Sequence, residues 1–179
     1  MSPALQSLCR NCQATLKHNG GTEGLQEVRR HLETALRDGA IIDEYLGPGA
    51  APGLHLLYTD PELGFQVIAH VNAKGKTSPP HDHGTSWAIY GQAVAYTDMT
   101  DWERDGAEGV RRGHTTRLNP GDVGVFPPGA VHSISFPAAS SYVRITGTNL
   151  DTIPRTMFDP ETGTARRTPA VQSGSSAQS

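Results

Sequence analysis

Seven short β-forming runs follow one another between positions 53 and 147, each stopped before it can lengthen. They are GLHLLYT (53–59), FQVIAHV (65–71), SWAIYGQAVAYT (86–97), HTTRL (114–118), VGVF (123–126), VHSISF (131–136) and SYVRITG (141–147). The separators include Asp60-Pro61, Asn119-Pro120-Gly121 and Pro127-Pro128-Gly129. Such residues reverse a chain because proline fixes φ and glycine tolerates positive φ. Many short strands at this spacing predict an antiparallel sandwich or barrel. The 20 glycines and 13 prolines among 179 residues point the same way, since each costs a helix interior roughly 1–3 kcal/mol.

The first 40 residues have a different period. Ser2-Pro3 reads as an N-cap followed by proline at the first helical position. Leu5, Leu8, Cys9, Cys12 and Leu16 then share one helical face, and Asn19-Gly20-Gly21 ends the helix. A second helix is expected from Thr22, with Leu25, Val28, Leu32, Ala35 and Leu36 as its apolar stripe and Gly39 as its stop. The expectation is one domain over residues 1–164, with helices over 3–38 packed outside a barrel at about 41–164. From 165 to 179 the chain is small and polar without a period, which predicts a disordered tail.

Charge and patterning narrow the function classes. The formal net charge is −3, and the arginine pairs 29–30, 111–112 and 166–167 are isolated. A phosphate-tracking stripe is absent, so nucleic-acid binding is disfavoured. No apolar run approaches the ~20 residues that span a bilayer, and the N-terminus lacks the apolar segment of a signal peptide. A cytoplasmic protein without a membrane partner is expected. Cys9 and Cys12 form a C-x2-C pair inside a helical pattern, with no second pair to complete a zinc site. They read as two small residues facing a core.

Two of the eight histidines stand one residue apart in PPHDHG (79–84), at the head of an apolar run. In a strand, residues i and i+2 face the same way. His81 and His83 would therefore aim together, with Asp82 opposed, as a bidentate metal clamp. His132 is the best third ligand, because it follows a Pro-Pro-Gly turn and opens another apolar strand. Imidazole suits iron, zinc, copper and nickel alike, so the ligand set does not choose the metal.

The spacing is more specific than any single histidine. Gly75-x5-His81-x-His83 and Gly121-x5-Pro127-x-Gly129-x2-His132 occur in that order. The chain thereby resembles the cupin superfamily, which implies a double-stranded β-helix, a jelly-roll barrel with the metal held inside. It departs from most cupins where a glutamate follows the second histidine by four or five residues. Trp87 and Ala88 occupy those positions here, and no carboxylate lies between Asp82 and Asp98. Three neutral imidazoles would leave a divalent metal its full charge, which favours anionic, chelating substrates and leaves coordination positions for a substrate and O2.

GKTSPPHDHGTSWAIYGQAVAYTDMTDWE and LDTIPRTMFDPETG (150–163) resemble the cysteine dioxygenase branch, the thiol dioxygenases. That resemblance implies Fe(II) as cofactor, with a small-molecule thiol and O2 as partners and a sulfinate as product. Two family features fail. The Ser-His-Tyr relay would fall on SYVRITG, where Arg144 and Thr146 stand near the histidine and tyrosine positions. The arginine that clamps cysteine's carboxylate would fall in LLYTDPELGF, which has none. Cysteine is therefore an unlikely substrate, and a mercapto-carboxylate is the leading class.

Arg144 and Tyr90 are the candidate catalytic residues. Arg144, Trp87 and Tyr142 are the candidates for substrate binding, Arg144 because a guanidinium fork fits a carboxylate. Alternation pairs Trp87 with Ile89 and Tyr90 with Ala88. His70 would reach the mouth of the barrel. His18, His31, His55 and His114 have no assigned role. Cleavage of a carbon–carbon bond in a β-diketone or hydroxyketone is an alternative chemistry, and a non-oxidative isomerase, lyase or binding module is another. The resemblance to cupin barrels, which often pair through edge strands, admits a homodimer, but no edge in the sequence selects one.

Overall fold

A computed structural model describes residues 1–170. The N-terminal helices begin and end at the predicted residues. Helix α1 (Pro3–His18) starts where the Ser2 hydroxyl accepts a hydrogen bond from the Leu5 amide at 3.2 Å. Helix α2 (Thr22–Asp38) ends at Gly39, whose φ of 84° is the left-handed conformation that closes helices. A third helix, α3 (Ala40–Tyr45), restarts directly after that glycine. Its six residues are too few for a period to be read. Cys9 and Cys12 are buried and unpaired. Burial, the larger cause in each, pushes both thiols up to about 12, so neither is a nucleophile at neutral pH. No described helix is long and apolar enough to cross a membrane.

The strands follow in chain order: β1 (Gly53–Thr59), β2 (Gln66–Asn72), β3 (Lys76–Thr77), β4 (Ala88–Val94), β5 (Thr97–Asp105), β6 (Gly109–Leu118), β7 (Val123–Phe126), β8 (Val131–Phe136), β9 (Ser140–Thr146), β10 (Arg155–Asp159) and β11 (Thr164–Thr168). One sheet has the order β1-β2-β9-β4-β7, and the other β3-β8-β5-β6. All pairings are antiparallel. The fold is mainly β, a double-stranded β-helix barrel with the helices outside.

Alternation divides the five-stranded sheet into two faces. Val67, Ala69, Ile89, Val143 and Ile145 pack with Leu25, Val28, Leu32 and Leu36 beneath the helices. The approach is close at Gly91, where a Cβ would lie 2.7 Å from the Leu32 and Leu36 side chains. The other face looks into the barrel, where Ala88, Tyr90, Phe126 and Tyr142 meet Met99, Leu118 and Phe136.

Three boundaries differ from the sequence expectation. The run 86–97 is two strands, not one. Ala95 takes a positive φ of 58° between β4 and β5, and the chain crosses from one sheet to the other there. The buried Gln92 side chain holds this corner, accepting from Thr97 and donating to the Val94 carbonyl, both at 2.8 Å. HTTRL is the end of a longer strand, β6, whose exposed Arg111–Arg117 stretch hides it from any apolar pattern. Thr164–Thr168, which the expected tail partly included, instead form β11, paired in register with β10. Residues 171–179 of that expected tail lie outside the described residues.

Candidate metal centre

His81 is fixed by backbone ladders on both sides. Its amide donates to the His132 carbonyl at 2.9 Å, and the His132 amide donates back at 3.0 Å. On the other side it bridges Met157 of β10. His83 stands beyond this bridge in a loop, not in a regular strand. The turn after it requires Gly84, whose φ is 56° and where a Cβ would sit 2.3 Å from the Pro154 carbonyl oxygen.

Asp82 is opposed to the histidines, as alternation predicts. It is buried, and its carboxylate accepts from the amides of Gly84 (3.0 Å) and Thr156 (2.9 Å) and from Arg104 Nη2 (2.7 Å). One side chain thus ties the histidine loop to β10 and β5. Sequence reasoning assigned Asp82 no role, because its partners are 22 and 74 residues away.

The three rings converge. Their centroids are 5.2 Å (His81–His83), 4.8 Å (His81–His132) and 4.9 Å (His83–His132) apart. One nitrogen from each lies within 4.8 Å of the others. No described carboxylate or thiol joins them. Ala88, one of the two positions where a glutamate would stand, is in the lumen and carries no donor atom.

The donor atoms fit a metal. His81 Nδ1 lies 3.0 Å from the Pro79 carbonyl, which can only accept. That fixes the proton on Nδ1 and leaves the Nε2 lone pair free, the arrangement usual for metal-ligating histidines. His83 Nδ1 and both nitrogens of His132 are buried without a partner among the described residues. Each such atom costs about 1–3 kcal/mol unless something satisfies it. Burial is the main cause that lowers all three imidazoles, His83 to about 2 and His132 to about 3. They are neutral at physiological pH, the form that binds metals.

Three of the remaining candidates line the same lumen. The Tyr90 hydroxyl lies 3.0 Å from His83 Nε2, so it reaches the edge of the cluster. Burial raises its pKa above the usual phenol value, making it a weaker acid, and Arg144 opposes that rise. Arg144 is directly opposite Tyr90 across the β4–β9 ladder. Its Nε is buried and unpartnered, and its charge helps to lower His81, His83 and His132. Tyr142 is buried on the same face, stacked on His70 at 4.4 Å with an 18° interplanar angle. His70 is therefore inside the barrel, and desolvation, then Arg144, lowers it to about 2.

Trp87 is not brought to the histidines. It packs with the cluster beneath the helices, closely enough that a Cβ on Gly147 would meet its Nε1 at 2.7 Å. The reason is parity: Trp87 shares the face of Ile89, not that of Tyr90. Arg155 was missed by the sequence reading. It opens β10, and its charge contributes to lowering His81 and His83.

No family model matches the chain, and no curated protein matches it. Solved structures give likenesses at low identity. A cupin superfamily protein from Desulfitobacterium hafniense is 15% identical, with a TM-score of 0.43 over 54% of this chain and 77% of that one. The Cnp3 cupin domain of Schizosaccharomyces pombe is 13% identical, with a TM-score of 0.44 over 58% and 70%. KdgF from a Halomonas species is 18% identical, with a TM-score of 0.43 over 57% and 82%. The chain's own strand order and register define a double-stranded β-helix barrel. Its lumen holds a three-histidine cluster compatible with metal binding.

Proposed function

We propose that this protein is a mononuclear non-haem iron dioxygenase acting on a small anionic thiol, a mercapto-carboxylate, oxidised to its sulfinate. The observation that carries the proposal is a cluster of three neutral histidines that no carboxylate joins among the described residues, with the charge of the half-buried Arg144 acting on all three. In the proposed reaction both atoms of O2 go to sulfur, so that RS− and O2 give RSO2− with no further reductant. Fe(II), held by His81, His83 and His132, would supply the redox chemistry that O2 requires.

The chain's own residues do the rest. Arg144, which lines the cavity beside the lumen, holds the substrate carboxylate with its guanidinium. Tyr90 places a hydroxyl beside His83, where it donates to an oxygen of the substrate or product. Phe126, whose ring is 4.2 Å from that of His132, helps to keep bulk water from the cluster, which strengthens each of these polar contacts.

The test is an oxygen-electrode trace on protein loaded anaerobically with Fe(II). The panel is mercapto-acids, aminothiols, β-diketones and hydroxyketones, with His132→Ala as control. Rapid uptake with a mercapto-acid, absent in the control, is the expected result. Uptake with a ketone alone would replace the reading with carbon–carbon cleavage. No uptake with any of them would replace it with non-oxidative chemistry.

A further inference from the structure

Leu54 and Leu56 are 67% and 59% exposed, on the edge strand β1. They face His70 and Ile68 across the β1–β2 ladder. Those two residues in turn face Tyr142 and Arg144 across the β2–β9 ladder. Residues directly opposite in an antiparallel pair point to the same side. The two leucines therefore lie on the same side of the sheet as Tyr142 and Arg144, on its edge strand.

A cavity of about 240 Å³ sits at this edge, between β1 and the Asn149–Arg155 segment. Its wall is Leu54, Leu56, Ile68 and Leu150, and it is bounded by Arg144 and Arg155. Asp151 also borders it, but its ion pair to Arg155 is long at 3.9 Å and Asp151 is exposed. That leaves a net positive cavity beside Arg144, apolar on its Leu54, Leu56, Ile68 and Leu150 side and polar at Gln66 and Asn149. The volume is below the roughly 300 Å³ at which pockets for drug-sized ligands begin, which points to a small acid.

We propose that this cavity binds the apolar substituent of an anionic substrate whose carboxylate is held by Arg144, with Arg155 as a second cation at the rim. The proposal rests on Arg144 as the anion-binding residue of the proposed dioxygenase. It extends that site from the metal outward: metal-binding end at the histidines, carboxylate at Arg144, hydrocarbon against Leu54 and Leu56. It accounts for two features together. Two arginines against one carboxylate at the cavity wall suit an anion, and two exposed leucines on the same wall suit an apolar substituent. A second copy of the chain docked on β1 would cover the leucines but would supply no anion to the two arginines, so a small acid is the better occupant.

The test uses straight-chain carboxylates from acetate to octanoate, which carry no thiol and consume no O2. Their affinity for the full-length protein is measured by calorimetry, with size-exclusion light scattering alongside. The expected result is a Kd that falls about threefold per added methylene up to hexanoate. The slope should flatten in Leu54→Ser/Leu56→Ser, and all acids should weaken tenfold or more in Arg144→Gln. Because the leucines are exposed, the double variant keeps its melting temperature. A Kd independent of chain length in the wild type overturns the proposal without any variant. So does a wild-type dimer that becomes monomeric in the leucine variant with acid binding unchanged. Chain-length-dependent binding without O2 uptake from any thiol would keep the subsite and remove the dioxygenase. Uptake with short and long mercapto-acids alike, at one KM, would keep the dioxygenase and remove the subsite.

Discussion

The two faces of the β1-β2-β9-β4-β7 sheet are built from the same strands and obey opposite rules. The face beneath the helices is apolar and closed, with Val67, Ile89, Val143 and Ile145 essentially inaccessible to solvent. The lumen face of the same three strands carries His70, Tyr90, Gln92, Tyr142 and Arg144. The buried side-chain nitrogens left without partners among the described residues belong to His70, His83, His132 and Arg144, all in the lumen. Local consistency is the mark of a stable fold, and its breaches concentrate where function needs them. One face holds the barrel together, and the other holds polar atoms in readiness for something that completes them.

The strongest way to break this contrast is to cut the lumen where it is proposed to bind metal. His132→Ala should abolish metal retention and lower O2 uptake by at least a hundredfold. Its melting temperature without metal should not fall, because two unsatisfied nitrogens leave with the ring. Elemental analysis and calorimetric melting check both halves. A large drop in stability would assign His132 to packing.

The opposite face should respond in the opposite way. Ile89→Ala removes a fully buried side chain between the sheet and α2 and should cost about 2–5 kcal/mol in denaturant unfolding. The metal stoichiometry of the remaining folded protein should be unchanged. Gly91→Ala, which drives a Cβ against Leu32 and Leu36, should cost about 1–3 kcal/mol by overpacking.

Above the carboxylate range, acid should act chiefly on the lumen. His70, His83 and His132 are held neutral when folded, with values depressed to about 2, 2 and 3. The unfolded chain takes protons near pH 6.5. Stability is therefore fully present above that value and falls as pH drops below it, by up to about 1.4 kcal/mol per pH unit for each histidine. Melting of metal-free protein from pH 8 to pH 4 should show this limb, and His70→Phe should make it shallower. A flat profile would mean that the lumen histidines are hydrated and unperturbed.

The smallest effect is expected at Asp82→Asn. The carboxylate touches none of the three histidine rings, yet it fixes the loop that carries two of them. Loss of its charge toward Arg104 should weaken metal binding about tenfold, in the range typical of groups that orient ligands. Melting temperature should change little, which separates a positioning role from a structural one.

Much of this contrast was legible in the sequence. The β runs and the histidine spacing survive because they are local patterns. Trp87 shows where such reasoning stops: parity paired it with Ile89, but only the packed structure says which face the helices cover. The β4–β5 corner was hidden because nothing in AVAYT announces a positive φ at Ala95. Asp82 and Arg155 were missed for a different reason. Their roles depend on β10 lying beside Pro80–Asp82, and no periodicity encodes that juxtaposition.

The most direct test of the central claim is the iron content of the protein after anaerobic loading with Fe(II) and desalting, wild type against His132→Ala. The account predicts about one equivalent per chain in the wild type, a raised melting temperature on loading, and neither in the variant. Equal iron in both proteins, or none in the wild type, would contradict it.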